Sequence, residues 1–315
     1  MLLAGMDAMV AKNDQKAAQF FAHALNRNPR SRLARLFVLE LALRRNDVRH
    51  AVLDMTLLGR LLPDAATAFV PELARMAQDP RTRRALAPTL RADPVMLALV
   101  LHYLADKGAS PALVLQLAGS RVGPPPRELA DWREALLRSM LERGNFDAAH
   151  RLWAAFAGLK DDVPEGIYDG SFQGRPGFAP FNWTFSSSET GAAERDRGGG
   201  LHVEYYGRVP GDLASQVLTL PPGRYRFAFN AEGDLRDAQH RLFWRVQCYR
   251  KDPTTLLDIP IANVTFAGRT IAGDFMVPAD CPGQWLKLVG EPTEFPKNES
   301  VTIREVRVQR IGNRA

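Results

Sequence analysis

The sequence is poor in the residues that build metal centres. Its 315 residues include two cysteines and six histidines, and these are not spaced like the ligands of a zinc site. Gly198-Gly199-Gly200 precedes a strand pattern instead of a helix, so it does not predict a phosphate-binding loop. We therefore expect neither a metal nor a nucleotide cofactor from the residue pattern.

Long apolar runs are also missing. No stretch of about 18 or more residues is continuously apolar, so we predict no transmembrane segment in this chain. The first residues, MLLAGMDAMVAKND, lack the basic start and the sustained apolar core of a signal peptide. They read like the middle of a helix, which suggests that a further segment precedes them in the natural protein.

Paired carboxylates occur in polar loops. Glu189 with Glu194 and Asp234 with Asp237 lie in segments where acidic residues are common in any soluble protein. A glycoside hydrolase needs two carboxylates opposed across one cleft, one of them with a raised pKa, and no strand pattern here offers such a pair. We therefore predict no catalytic residues and a protein that is not an enzyme.

Charged and aromatic residues are unevenly distributed along the chain. Residues 1–160 carry 23 Lys and Arg against 15 Asp and Glu, whereas residues 161–315 carry 18 against 20. Aromatic residues show the opposite bias, with 9 in the first segment and 18 in the second. This asymmetry predicts two domains of different construction, 1–160 and 161–315.

Basic residues are mostly arginine, with 34 Arg against 7 Lys. A basic groove for nucleic acid is one interpretation. The other is a GC-rich bacterial genome that encodes arginine on solvated helix faces. We favour the second and predict no nucleic-acid partner.

The first domain has a helical pattern that repeats. Small and apolar residues recur at helical spacing in three sets: Ala17, Ala18, Phe21, Ala24 and Leu25; Ala51, Met55 and Leu58; Phe146, Ala149, Trp153 and Phe156. We place the turns of the repeat at Lys12, Asn46, Ala77, Gly108 and Gly144. The pattern resembles tetratricopeptide repeats, in which a small residue opens a tight turn and an alanine lets helices pack closely.

Prolines interrupt the middle of this pattern, at Pro71, Pro80, Pro88, Pro94 and Pro111. We expect them to divide it into short helices. The result would be an irregular α-helical solenoid of about five stacked helix pairs. The resemblance implies a surface that engages a protein partner; the alternative is that the solenoid only positions the neighbouring domain.

The second domain has short alternating runs separated by Gly, Pro, Asn and Asp. The clearest pair of runs, within Gln216–Asn230, flanks Pro221-Pro222-Gly223 and predicts a hairpin of two antiparallel strands. We predict nine strands in all: 181–185, 201–206, 215–220, 224–230, 242–249, 263–266, 270–277, 285–289 and 301–310. Such spacing predicts an antiparallel β-sandwich.

The order of features in this domain is more specific. Gly170 and Phe172 open it, a strand with Trp183 follows, and a glycine-rich approach leads to LHVEYYG. Near the end come Phe275-x-Val277-Pro278, an LKL strand and VTIREVRVQR. This order resembles the jelly-roll carbohydrate-binding modules that accompany xylanases and glucanases, and the wider galactose-binding-like sandwiches. The resemblance implies glycan binding, and it offers Asp169 as a ligand for a structural calcium, although no further ligands can be matched.

Polar and aromatic residues on the predicted outer face of the sheet are candidates for binding a glycan. Alternation places Arg245, Gln247 and Tyr249 on one side of their strand, opposite Trp244 and Val246. If Tyr225, Phe227 and Phe229 are core, Arg226 and Asn230 face outward, and Trp285 completes the set. Aromatic rings cover the C–H faces of pyranoses, and amide or guanidinium groups bridge neighbouring hydroxyls. The alternative is an ordinary solvated face; we predict that Trp183 and Trp244 are core residues.

Both cysteines fall in the second domain. Cys248 and Cys281 lie near predicted strand ends, where two chain segments can approach closely enough for a disulfide. We favour a disulfide over two buried free thiols. It would place the protein in an oxidising compartment such as the bacterial periplasm or cell envelope, provided that an export segment precedes this chain; otherwise the protein is cytoplasmic.

These observations predict a bacterial binding or scaffold protein. Its helical repeats would engage a protein partner and its sandwich would bind a glycan, as in the handling of cell-envelope polysaccharide. The alternative is a structural assembly factor whose sandwich binds no small ligand. A glycan-active enzyme ranks third.

Overall fold

The structure is a computed structural model that describes residues 1–45, 47–159, 166–233, 235, 242–292, 294 and 298–312, apart from the side chains of residues 63–65. The chain forms two compact units, Met1–Ser139 and Met140–Ala315. The described residues hold ten helices followed by ten strands. This confirms the predicted order of an α-helical part and an antiparallel β-sandwich.

The helices are short, and most of them begin at a proline or at a side chain that caps them. Asp79, Asp93 and Ser110 each accept a hydrogen bond from a backbone N–H of the first turn that follows. The helices are α1 (Leu2–Val10), α2 (Asp14–Arg27), α3 (Arg32–Arg44), α4 (Val48–Leu61), α5 (Pro63–Gln78), α6 (Pro80–Arg91), α7 (Pro94–Asp106), α8 (Pro111–Ala118), α9 (Trp132–Glu142) and α10 (Phe146–Phe156).

The prolines act in two different ways. Pro80, Pro94 and Pro111 each begin a helix, where the missing N–H is not needed. Pro71 and Pro88 lie inside α5 and α6, so the prediction that they divide the chain is wrong. An internal proline costs about 3 kcal/mol, which packing of α5 against α4, α6 and α7 offsets.

The structure has turns at some, but not all, of the predicted repeat positions. Lys12, Gly108 and Gly144 lie in turns between helices and have positive φ. Ala77 is buried inside α5, so no turn begins there, and Asn46 lies outside the described residues. Because the chain continues as α5 through Ala77, the middle of the array departs from the predicted spacing of turns. The tetratricopeptide assignment therefore stays a prediction.

The sandwich consists of two five-stranded sheets in which neighbouring strands are antiparallel. Sheet A has the order β1-β4-β9-β6-β7, and sheet B has the order β2-β3-β10-β5-β8. The strands are β1 (Thr184–Phe185), β2 (Gly191–Arg195), β3 (Leu201–Tyr205), β4 (Gly211–Leu218), β5 (Gly223–Gly233), β6 (Leu242–Cys248), β7 (Thr255–Pro260), β8 (Arg269–Val277), β9 (Gln284–Gly290) and β10 (Glu299–Arg310).

The two strands of the predicted hairpin do not pair with each other. β4 belongs to sheet A and pairs with β1 and β9, whereas β5 belongs to sheet B and pairs with β8 and β10. The Pro221-Pro222-Gly223 segment therefore crosses from one sheet to the other. Alternation shows that each strand buries one face, but two strands that face each other across a core alternate just as two paired strands do.

The sandwich core is aromatic and holds the two tryptophans that we predicted to be core residues. Trp183 and Trp244 are buried, with ring centroids 5.7 Å apart, and Phe227 packs against Trp244 at 5.8 Å. The sequence patterns missed β2 and β7. The strand predicted at 263–266 is reduced to a single bridge between Val264 and Leu235.

Helix α10 belongs to the sandwich unit. The Trp153 indole donates a hydrogen bond to the Phe178 carbonyl oxygen at 2.7 Å and packs edge-on against Tyr168 at 5.0 Å. Phe146, at the start of α10, packs edge-on against Tyr249 at 5.5 Å. The compact unit thus begins about one helix earlier than the predicted 161–315 domain.

No helix among the described residues is long and apolar enough to cross a membrane.

Candidate functional site

The structure divides the six predicted glycan-binding residues between two sheets. Arg226 and Asn230 lie on β5 in sheet B, whereas Arg245, Gln247, Tyr249 and Trp285 lie in or beside β6 and β9 of sheet A. In a sandwich the outer faces of the two sheets point in opposite directions. The six residues therefore do not form one surface, and their role in binding stays a prediction.

On sheet B, the two predicted residues are bonded to their neighbours. The Arg226 guanidinium donates two hydrogen bonds to Asp274, at 2.7 and 3.1 Å. This contact raises the pKa of Arg226 and lowers the pKa of Asp274. The Asn230 amide donates to Glu305 at 3.0 Å and accepts from the Thr270 hydroxyl at 2.7 Å. Both side chains thus have protein partners.

On sheet A, the other four residues lie side by side. The rings of Tyr249 and Trp285 stack with centroids 5.2 Å apart and planes 19° from parallel. Gln247 is the register partner of Trp285 on the adjacent strand, and all three side chains are half-buried. We call Tyr249, Trp285 and Gln247 the aromatic platform.

The charged side chains beside the platform are held by ion pairs. Arg245 donates to both carboxylate oxygens of Asp258, at 2.8 and 2.9 Å, and this contact raises the pKa of Arg245. Lys287 pairs with Asp212 at 2.7 Å, and its amino group lies 5.5 Å from the ring centre of Trp285. The Gln247 side chain makes no hydrogen bond to any residue that the structure describes. Its amide therefore keeps both donor and acceptor capacity for a ligand.

A disulfide joins Cys248 to Cys281, as predicted, with Cα atoms 5.5 Å apart. Both residues are buried. Gln284 lies beside it and bridges the local backbone, since its amide accepts from the Leu220 N–H at 2.9 Å and donates to the Cys281 carbonyl at 2.6 Å. The disulfide thus joins the end of β6, next to Tyr249, to the segment that precedes β9.

Asp169 does not fit the calcium site that the family resemblance offers. Its carboxylate accepts backbone N–H bonds from Gln173 at 2.9 Å, Gly174 at 2.9 Å and Arg175 at 3.3 Å. The Arg195 guanidinium pairs with the same carboxylate at 3.5 Å. A cation would have to displace these donors and would meet a positive charge. The described residues contain no group of three or more His, Cys, Asp or Glu that could hold a metal ion.

A pocket on sheet B was missed by the sequence analysis. Phe266, which is 79% exposed, stands at the edge of a pocket of about 660 Å³. His202, Glu232 and Thr302 line one wall of this pocket. We had assigned Phe266 to a strand; the Ala267-Gly268 pair that follows it is the turn signal that could have placed its ring outside the core.

No protein-family model and no curated protein matches this chain. Among solved structures, a family 4 carbohydrate-binding module is similar at 15% identity, over 46% of this chain and 99% of that chain, with a TM-score of 0.35. The N-terminal cellulose-binding domain of Cellulomonas fimi β-1,4-glucanase C is similar at 16% identity, over 48% and 99%, with a TM-score of 0.32. The xylan-binding domain of Paenibacillus barcinonensis Xyn10C is similar at 12% identity, over 48% and 97%, with a TM-score of 0.32. In each case the similarity covers the C-terminal half of this chain.

Proposed function

We propose that this protein is a non-enzymatic binding protein whose sandwich holds a polysaccharide on the outer face of sheet A. The observation that carries the proposal is the aromatic platform, in which the stacked Tyr249 and Trp285 rings lie next to the unbonded amide of Gln247. Aromatic rings cover the apolar C–H faces of a pyranose, and a planar amide bonds neighbouring hydroxyls.

The charged groups beside the platform favour binding because they are already in place. Arg245 is fixed by two hydrogen bonds to Asp258, and Lys287 is fixed by Asp212. A side chain that is ordered before binding loses less rotamer entropy when the ligand arrives. The guanidinium and amino groups can therefore bond sugar hydroxyls at small entropic cost.

The disulfide bears on where this binding takes place. Disulfides persist in oxidising compartments such as the bacterial periplasm, and Cys248–Cys281 lies directly beside the platform. We therefore propose the bacterial cell envelope, where polysaccharides are assembled and exported, as the protein's location, provided that an export segment precedes this chain.

The helical unit is proposed to engage a protein partner. Leu33, Leu36 and Leu43 of α3 are all more than 40% exposed. Their spacing places them on one face of the helix. Clustered exposed apolar residues are typical of interaction surfaces.

A structural role for the sandwich is the second candidate. Phe146 of α10 packs against Tyr249, so the chain itself covers part of the platform. In this alternative the face of sheet A serves to seat α10, and the sandwich binds no small ligand.

Affinity electrophoresis of the full chain in gels that contain cellulose derivatives, xylan, galactan or bacterial exopolysaccharide separates the two candidates. We expect one polysaccharide to retard the protein. Gln247→Ala should weaken that retention about twofold to tenfold, since a net hydrogen bond is worth about 0.5–1.5 kcal/mol. Gln309→Ala, an exposed glutamine of sheet B, is the matched control and should leave retention unchanged. Retention in none of the gels would favour the structural role, whereas retention that Gln247→Ala leaves unchanged would mean that the polysaccharide binds outside the platform.

A further inference from the structure

The Phe266 pocket lies on the sheet opposite the platform. His202, Thr302 and Glu232 form one row across β3, β10 and β5, because His202 pairs with Thr302 and Thr302 pairs with Glu232. Their strand neighbours Leu201, Val203, Val301, Ile303, Ala231 and Gly233 are buried. The three side chains in the row therefore face outward, with adjacent strands about 4.8 Å apart.

The position of Phe266 is set by a tight turn. The Thr265 carbonyl accepts hydrogen bonds from the Gly233 N–H at 3.2 Å and the Gly268 N–H at 2.9 Å. Val264 forms a bridge with Leu235 just beyond the end of β5. The backbone around Phe266 is thus anchored to sheet B, while its ring is 79% exposed. Packing of the core does not explain why an aromatic ring is held in solvent beside a row of polar groups.

The chemistry of the lining suits an uncharged, hydroxyl-rich ligand. Besides the row of three, the pocket is lined by the Asn298 amide and the Ser300 hydroxyl. Among the described lining residues, the charged ones are Glu232 and Glu299, and no Lys or Arg is present. Glu232 is held by Arg304, which donates to it at 2.7 and 3.1 Å. The pocket volume lies within the range of about 300–1,000 Å³ that is usual for small-molecule sites.

We propose that the Phe266 pocket is a second saccharide-binding site, which takes an uncharged pyranose unit of a glycan. The ring face of Phe266 covers the C–H face of the sugar, and the row of His202, Thr302 and Glu232 bonds its hydroxyls. The described lining residues include no Lys or Arg that could pair with the anionic group of a uronic acid or of a sulfated or phosphorylated sugar, so such a sugar would lose hydration without gaining an ion pair. Its polar row lies on sheet B and the aromatic platform lies on sheet A, so saccharide binding at the two sites can be tested separately.

NMR of the full chain, labelled with ¹³C in its phenylalanine rings, tests the proposal at the site itself. The probes are cellotetraose, xylotetraose, β-1,4-galactotetraose and the anionic tetragalacturonate, and Phe266→Leu assigns the resonance. We expect at least one neutral tetrasaccharide to shift the Phe266 resonance in a saturable way, while tetragalacturonate leaves it in place. Thr302→Val should weaken that binding at least threefold. Met276→Ala, which changes another exposed apolar residue of sheet B, should not.

Gln247→Ala distinguishes the two sites, because it alters the platform and should leave the Phe266 titration unchanged. The proposal is overturned if no neutral probe shifts Phe266 at millimolar concentration, or if tetragalacturonate shifts it equally. It is also overturned if the shift disappears with Gln247→Ala, since the glycan would then bind at the platform alone. A Phe266 resonance that moves with protein concentration and with no saccharide would indicate self-association instead.

Discussion

Trp153 offers a direct test of whether α10 is part of the sandwich. Its side chain has no exposed surface, and a buried aromatic side chain removes about 150–250 Å² from water. At about 25 cal/mol per Å² this corresponds to about 4–6 kcal/mol, which is close to the 3–5 kcal/mol usual for truncating a large aromatic residue. The hydrogen bond to the Phe178 carbonyl adds about 1 kcal/mol. Because area-based figures are upper estimates, we expect Trp153→Ala to lower the free energy of unfolding by about 3–5 kcal/mol, the usual range for such a truncation.

Urea unfolding of residues 140–315, followed by tryptophan fluorescence and circular dichroism, measures this change. A loss of that size is a large part of the 5–15 kcal/mol that stabilises a typical domain. Arg151→Ala is the control, since Arg151 is exposed on the same helix and should change the stability by less than about 0.5 kcal/mol.

Truncation gives a second measurement of the same contact. Residues 161–315 lack α10, so they should unfold at a lower urea concentration than residues 140–315. Equal midpoints for the two fragments, together with a Trp153→Ala change below about 1 kcal/mol, would refute the assignment of α10 to the sandwich.

Three further predictions concern the disulfide, an ion pair and the platform. Replacing both cysteines with serine should lower the free energy of unfolding by about 3–4 kcal/mol, because 33 residues separate Cys248 from Cys281; a urea midpoint insensitive to both the substitution and a reductant would contradict this. Arg226→Gln should raise the pKa of Asp274 measured by NMR, since Arg226 is the main cause of its lowering. The Arg226–Asp274 ion pair stabilises the fold at pH values above the pKa that Asp274 has in the unfolded chain. This stabilisation is lost as the pH falls through the lower pKa that Asp274 has in the folded chain. An unchanged Asp274 titration would refute the contact. Tyr249→Ala should lower the stability by about 1–3 kcal/mol, because its ring packs on two others; a Tyr249→Ala change below about 0.5 kcal/mol would mean that the ring contacts stabilise little.

The sequence predicted the strands of the sandwich better than their pairing. Alternation located most strands and the two core tryptophans, because burial of one face leaves a period of two in the sequence. The same period does not show which strand pairs with which. For this reason the proline-glycine segment at 221–223 predicts a hairpin turn, although it connects the two sheets.

Other features of the fold leave little trace in the sequence. β7 reads TLLDIP, which combines apolar residues on both faces with a terminal proline and so weakens the strand pattern. The six candidate residues were grouped on one face for a different reason, since alternation says that Arg226 and Arg245 both face outward but not that their sheets have opposite outer faces. Long-range packing, as between Trp153 and Phe178, left no local pattern at all.

The contacts of the Asp169 carboxylate affect the conditions under which the sandwich stays folded. Three backbone N–H groups and the Arg195 guanidinium satisfy it. Because all four donors are covalently part of the chain, their local concentration is fixed when the chain folds. A loop held by a bound ion, in contrast, loosens whenever the ion is diluted or chelated. We expect this loop to tolerate surroundings rich in anionic polymers that sequester divalent ions, and an unfolding midpoint unchanged by EDTA would be its signature.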